Sequence, residues 1–213
     1  LSDNLIKSVV HGLAEENLPQ KDKIFYQALL FAQAEKAAPH LIGGLHVEYK
    51  TTKGGKQRVE AIKRVLRRKP FTTQTTANNL IATLKNPQKA EHAKQLLQHP
   101  NYVTQTTANN LIAALNGPNG AEHAKQLLQH PNYATQTTAN NLIAALKEPD
   151  CAEHAKELLT HENYVTLPTA RNLVSTIISK AAEGTQQVLL HQAYVGKQKI
   201  VDEVVKSLVF TTG

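Results

Sequence analysis

Seven histidines recur at fixed intervals, at 92, 123 and 154 and again at 99, 130, 161 and 191. Histidine is a frequent metal ligand, and a helical site needs partners at i,i+3 or i,i+4 with donors about 2 Å from one ion. His92 and His99 are seven apart, which is roughly 10 Å along a helix. No Cys or carboxylate stands where it could complete a set, so the rows read as a solvated edge and no metal is expected. Cys151 is the lone cysteine and falls in a loop, with no nucleophile–His–acid arrangement and no Gly-x-Ser-x-Gly element around it. Lys53-Gly54-Gly55-Lys56-Gln57 precedes a helix, where backbone amides and lysines can hold an anion. It lacks the Gly-x4-Gly-Lys-Ser/Thr spacing of a phosphate loop, so nucleotide hydrolysis is not implied. With Arg64, Arg67 and Arg68 it forms a candidate anion or nucleic-acid site. The plain alternative is a charged, solvated helix face over buried Val59, Ile62, Val65 and Leu66. No catalytic residue and no cofactor follow from any of this.

Asparagine is the other repeated chemistry. Asn79, Asn110, Asn141 and Asn172 share one position, and Asn78, Asn109, Asn140 and Arg171 precede them. A side-chain amide both donates and accepts, so a row built from Asn78, Asn109, Asn140 and Arg171 can meet peptide backbone or nucleobase edges. The structural alternative is local: Thr76-x-x-Asn79, seen again as Thr169-x-x-Asn172, as a hydrogen-bonded helix start.

These residues sit in a tandem repeat of 31 residues. QTTANNLIATLKNPQKAEHAKQLLQHPNY (74–102) returns at 105–133 and at 136–164 with few changes. Fainter copies flank it, since 57–71 follows the second half, 167–178 the first half and 183–195 the second half again. Each unit predicts two helices, one burying Ala77, Leu80, Ile81 and Leu84 and one burying Ala90, Ala93, Leu96 and Leu97 at helical spacing. Asn119-x-x-Glu122 and Asp150-x-x-Glu153 read as capping boxes, and His-Pro-Asn ends the second helix because Pro cannot continue it. Tyr102, Tyr133 and Tyr164 are expected to wedge between units. The copies differ chiefly in the loop between the helices: Lys85, Asn86, Gln88 and Lys89; then Asn116 and Asn119; then Lys147, Glu148 and Asp150. Repeat proteins bind through varied positions of this kind, whereas solvent-exposed loops also drift without function.

A helix pair of this size cannot bury its apolar side alone, so neighbours must stack into an all-α solenoid. The expected organisation is a helical N-terminal cap over 1–56, repeats over 57–195 and a capping helix over 196–213. The repeats comprise a half unit at 57–70 and units starting near 71, 102, 133 and 164. In the cap, Ser2 or Asp3 would start a helix carrying Leu5, Ile6, Val9, Val10 and Leu13. Asp22 would start another carrying Ile24, Phe25, Leu29 and Leu30, and 40–55 reads as a long loop. A 41% hydrophobic, 19% charged composition is globular rather than disordered. No 18-residue apolar run suggests a membrane span, and the absent initiator Met reads as a piece of a longer protein. The formal charge of +7 is local. Residues 50–69 hold nine Lys or Arg against Glu60, while 70–163 hold six bases and seven acids.

The helix–variable loop–helix layout of 57–195, with a basic degenerate segment before it, resembles the TAL-effector-like DNA-binding repeats. That resemblance implies loops such as Asn116–Gly120 facing bases. The present unit is shorter, has Pro inside the loop and carries net negative charge over 70–163. The Asn/Gln/His-rich duplicated units also resemble repeats of effectors that intracellular bacteria export, which implies a host-cytosol setting. The expectation from the residues is a non-enzymatic, cytoplasmic scaffold binding a protein partner, with nucleic-acid binding through 50–69 and the loops as the alternative.

Overall fold

The computed structural model describes residues 2–12, 19–46, 53–178 and 183–209. Among the described residues every regular element is helical, and the fold is an α-solenoid-like stack of helix pairs. The chain divides into two compact units, Leu1–Thr107 and Ala108–Gly213.

In the first unit, α1 (Asp3–Gly12), α2 (Gln20–Ala32) and α3 (Ala34–Gly43) form the N-terminal part. Ser2 Oγ accepts the amide of Leu5 at 3.4 Å, which starts α1. Asp22 lies inside the first turn of α2, whose cap position is Pro19, so Asp22 does not start that helix. Ile24 and Phe25 are 59% and 60% exposed rather than buried; α2 instead turns Leu30 inward. Leu13 lies outside the described residues. The expected loop over 40–55 is also partly helix: His40–Gly43 close α3, and α4 (Lys53–Leu66) starts at Lys53. The Ala34, Ala37, Ala38, Leu41, Ile42 spacing drives α3, and four of these are buried. Helix α4 and a 3-10 turn at Lys69–Phe71 form the half repeat, followed by α5 (Gln74–Thr83), α6 (Ala90–Leu97) and a turn at Pro100–Tyr102.

The division falls within α7 (Gln105–Ala114). The second unit continues through α8 (Ala121–Leu128), α9 (Gln136–Ala145), α10 (Pro149–Leu159) and α11 (Leu167–Ile178). It closes with α12 (Glu183–Leu189), α13 (Gln192–Val195) and α14 (Gln198–Val209). Ala93, Ala124 and Ala155 are wholly buried, as are Leu96, Leu97, Leu127, Leu128, Leu158 and Leu159.

The helix starts differ from the sequence expectation. Thr73, Thr104, Thr135 and Thr166 are the caps of the first helices, each accepting the amide three residues on (3.2, 3.0, 3.1 and 3.3 Å). Their hydroxyls also bond those of Thr76, Thr107, Thr138 and Thr169. That arrangement pairs each buried Thr hydroxyl, so the Thr76–Asn79 bond is not the start motif. Nor do Asn119 and Asp150 cap the second helices. Helix α8 starts after Gly120 with no side-chain cap, while α10 starts one turn earlier at Pro149, with Glu148 before it. A backbone turn does the work at α8, where Gly117 O accepts from Gly120 and Ala121 amides.

Candidate functional site

The Tyr wedges set the spacing from which every candidate surface follows. Tyr102 Oη donates to Leu66 O at 2.6 Å, Tyr164 to Leu128 O at 2.6 Å and Tyr194 to Leu159 O at 2.7 Å. Each acceptor is the last residue of the preceding second helix, where carbonyls lack intrahelical partners. Asn101 Nδ2 to Arg67 O (3.2 Å) and Asn163 Nδ2 to Gln129 O (2.8 Å) close the next carbonyl along. Burial pushes all four tyrosine hydroxyls (Tyr133 included) far up, so they remain neutral donors.

The second-helix edge is charged. Lys63, Lys94, Lys125 and Lys156 each pair with the Glu three residues before, at 2.6–2.9 Å. Lys63 Nζ also reaches Gln95 Oε1 of the next second helix at 2.7 Å, and Lys125 reaches Glu157. Bonding to Lys63 holds the Glu60 carboxyl below its ordinary range, and Lys125 does the same to Glu122.

The row at 92, 123 and 154 does not form a solvated edge. His92 is buried, and His123 and His154 are half-buried with Nδ1 turned away from solvent. In the other row, Nδ1 of His99, His130, His161 and His191 accepts the amide two residues on at 3.2–3.4 Å. These imidazoles cap the short turns that carry the tyrosines. Sequence spacing alone did not reveal this, although His immediately before Pro-Asn is a position where a side-chain acceptor serves a turn. Among the described residues no three His, Cys, Asp or Glu groups could hold a metal ion.

The Asn row is partly used within the fold. Asn140 Oδ1 accepts from Gln136 Nε2 at 3.0 Å and from Asn172 Nδ2 at 2.6 Å. Asn109 Oδ1 accepts from Asn141 Nδ2 at 2.6 Å, and Asn78 Oδ1 from Gln74 Nε2 at 2.9 Å. The Asn79-type residue therefore reaches back 32 positions to the Asn78-type residue of the preceding first helix. Arg171 replaces Asn in the last copy, and its Nε donates to Glu203 Oε1 on α14 at 2.7 Å. Glu203 lies 32 residues beyond Arg171, so α14 stands where the next first helix would. That bond holds the Glu203 carboxyl below its usual range. Asn78, Asn109, Asn140 and Arg171 are all exposed.

No family model, curated protein or solved structure matches this chain. Its surfaces must therefore be judged on their own geometry.

The variable loops are exposed at Lys85, Asn86, Gln88, Asn116, Asn119, Lys147, Glu148 and Asp150; Lys89 is half-buried. Asn86 Oδ1 accepts the Gln88 amide at 3.0 Å, a local turn bond. Cys151 is not alone in a loop. It lies in the first turn of α10, buried, with Sγ donating to Asn116 Oδ1 at 3.3 Å. Burial, with Glu148 and Asp150 adding to it, raises the thiol above its ordinary value and keeps it protonated. On α4 the basic residues separate. Lys56 and Arg64 are exposed two turns apart with Glu60 midway between them, and Arg68 is exposed just beyond the end of the helix. Arg67 is half-buried with Nε enclosed, and Lys63 is committed to Glu60 and Gln95. The side chain of Lys53 lies outside the described residues. Among those residues no helix is long and apolar enough to cross a membrane.

Proposed function

We propose that the chain is a non-enzymatic scaffold that binds a protein partner through the outer face of its first helices and the loops that follow them. The observation carrying this reading is the state of Asn140. A carboxamide oxygen has two lone pairs, and both are engaged by Gln136 and Asn172. What the side chain has left to offer is its Nδ2 donor. Reading adenine takes a bidentate Asn, donating and accepting at once, so this row is poorly suited to base edges. A donor beside the small exposed Thr137 and Ala144 suits peptide carbonyls of an approaching segment. Asn109 has the same bond from its neighbour and the same exposed company in Ala113.

The exposed Lys56, Arg64 and Arg68 favour the second reading, nucleic-acid binding with Lys85, Asn116 and Lys147 of the loops assisting. Glu60 between Lys56 and Arg64 and the occupied Asn oxygens weigh against it. A setting in a host cytosol, as part of an exported effector, goes with the scaffold reading; a translocation reporter fused to the parent protein tests that setting.

The deciding measurement pairs two assays on the full chain. A photo-crosslinking side chain at Ala144 should yield protein adducts in cell extract that Asn140→Ala diminishes. Fluorescence anisotropy with DNA and RNA should show little binding at about 150 mM salt, where charges are screened beyond about 8 Å. Submicromolar, sequence-selective DNA binding that changes when Asn116–Gly120 is exchanged for Lys147–Cys151 would overturn the scaffold reading.

A further inference from the structure

In the second unit α11 packs between α9 and α14, and α14 is the last described helix. Helix α14 keeps the register of the first helices, one period on from α11. Val201, Val204 and Val205 therefore stand where α11 has Ala170, Leu173 and Val174, and where α9 has Ala139, Leu142 and Ile143. All of those earlier residues are buried. On α14, by contrast, Val205 is 53% exposed, and Val201 and Val204 are only half-buried. The second helices repeat the pattern. Leu128 and Leu159 are wholly buried, whereas Leu189 at the end of α12 is half-buried. Val195 is 51% exposed where its equivalent Val165 is buried. These positions are covered, in the earlier copies, by the copy that follows. A helix that closed the stack against solvent would carry polar groups there. Helix α14 carries valine.

The polar edge of the same face is also incomplete. Gln198 Nε2 donates to Asp202 Oδ1 at 2.8 Å, as Gln136 Nε2 does to Asn140 Oδ1 at 3.0 Å. Asn140 takes a second bond, from Asn172 of the following copy. Asp202 holds the equivalent place on α14, exposed, and a carboxylate accepts more than one donor.

We propose that this face binds the same face of a second copy of this chain, forming a two-fold dimer. A two-fold contact must be self-complementary, and α14 meets that requirement. Asp202 and Lys206 are both exposed and lie two residues to either side of Val204. Two α14 helices packed antiparallel about Val204 set each Asp202 against Lys206 of the other copy. The lysine then supplies the donor that Asn172 supplies to Asn140. Antiparallel pairing also keeps first helices beside first helices and second beside second, so Leu189 and Val195 fall within the same contact. An unrelated helix would have to bring a matching charge pattern, whereas a second copy carries it already. The contact continues the packing that holds α9, α11 and α14 side by side. It needs no other protein, so its outcome is independent of the scaffold reading.

Sedimentation velocity of the purified full chain, at roughly 1 to 100 μM and about 150 mM salt, should show a reversible monomer–dimer equilibrium. Val205→Glu buries an unpaired charge in the contact, and Asp202→Lys opposes like charges across it. Each should raise the dissociation constant at least about tenfold, with the helical circular dichroism spectrum retained because both positions are exposed. Adding Lys206→Asp to Asp202→Lys exchanges the two charges and should restore the dimer. Phe25→Glu, at an exposed apolar position of α2, should change nothing. A chain that stays monomeric at the highest concentration overturns the dimer, and a crosslinking side chain at Val205 that then joins another protein in extract gives the face to a foreign partner. Undiminished self-association of Val205→Glu, or an equal loss with Phe25→Glu, puts the contact elsewhere. A charge exchange that fails to restore the dimer removes the antiparallel α14 pairing. Any one of these results ends the proposal.

Discussion

His99 holds its turn together with a lone pair: Nδ1 accepts the Asn101 amide, and a proton on that nitrogen ends the bond. Burial first, then the nearby Arg67 charge, hold its pKa below the ordinary 6.5. The sign follows from linkage. Between the lowered folded value and 6.5 the unfolded chain binds the proton more readily, so stability rises with pH across that window. The contribution is complete above about 6.5 and is lost as pH falls through the folded value. The melting temperature of the native chain should therefore drop further between pH 7.5 and 5 than that of His99→Asn, whose amide oxygen accepts without titrating. Equal drops would remove His99 from the account. Tyr164 gives a second residue-scale outcome. Tyr164→Phe leaves the Leu128 carbonyl without that donor in a buried place. A loss of about 1–3 kcal/mol is expected by chemical denaturation, and a variant as stable as the parent would show that the ladder bond contributes nothing.

Among the elements, the second helices depend on alanine. Ala124 has no exposed surface, so Ala124→Leu should cost about 1–3 kcal/mol through overpacking. Gln129→Leu, at a half-buried position just beyond α8, should cost little, since its bond to Asn163 uses the backbone carbonyl. Similar melting temperatures for the two variants would mean the buried side of α8 is misassigned. This face was legible in the sequence because Ala and Leu at helical spacing report directly on burial, and the Tyr wedges were legible because a large ring returned every 31 residues. The caps were not. Thr73 and Thr76 are both good helix-start residues, and only the backbone shows that the earlier one caps while the later one is buried. The Asn79-type bonds were hidden for a different reason. A polar pair 32 residues apart appears only once the register between neighbouring helices is fixed. Helix α3 was missed because Pro39 and the Gly43-Gly44 pair mask an otherwise good apolar spacing. The basic band was legible as charge but not as geometry, since nothing in its composition distinguishes exposed Arg64 from enclosed Arg67 or committed Lys63.

At the scale of the whole chain, the side-chain bonds described within each unit link neighbouring repeats about one period apart. Asn141 to Asn109 and Asn172 to Asn140 cover 32 residues, Lys125 to Glu157 also 32, and Tyr164 to Leu128 covers 36. Each partner belongs to the adjoining copy, so a repeat is held by its neighbours rather than by distant chain. Stability in such an array is close to a sum of unit and interface contributions. Removing one whole period should then re-form every ladder one step shorter. Deleting residues 136–166 joins Thr135 to Leu167, which keeps a Thr cap three residues before Thr169. It also leaves Arg171 with Glu203 and lets Tyr194 reach Leu128 in place of Leu159. The shortened chain should unfold cooperatively, with helicity per residue unchanged and a lower denaturation midpoint. Deleting only 136–156 removes part of a period, puts Asn, Tyr and Lys partners out of register and should abolish cooperative unfolding. If the two deletions unfold alike, the period is not the structural unit, and the neighbour-to-neighbour account of this solenoid fails.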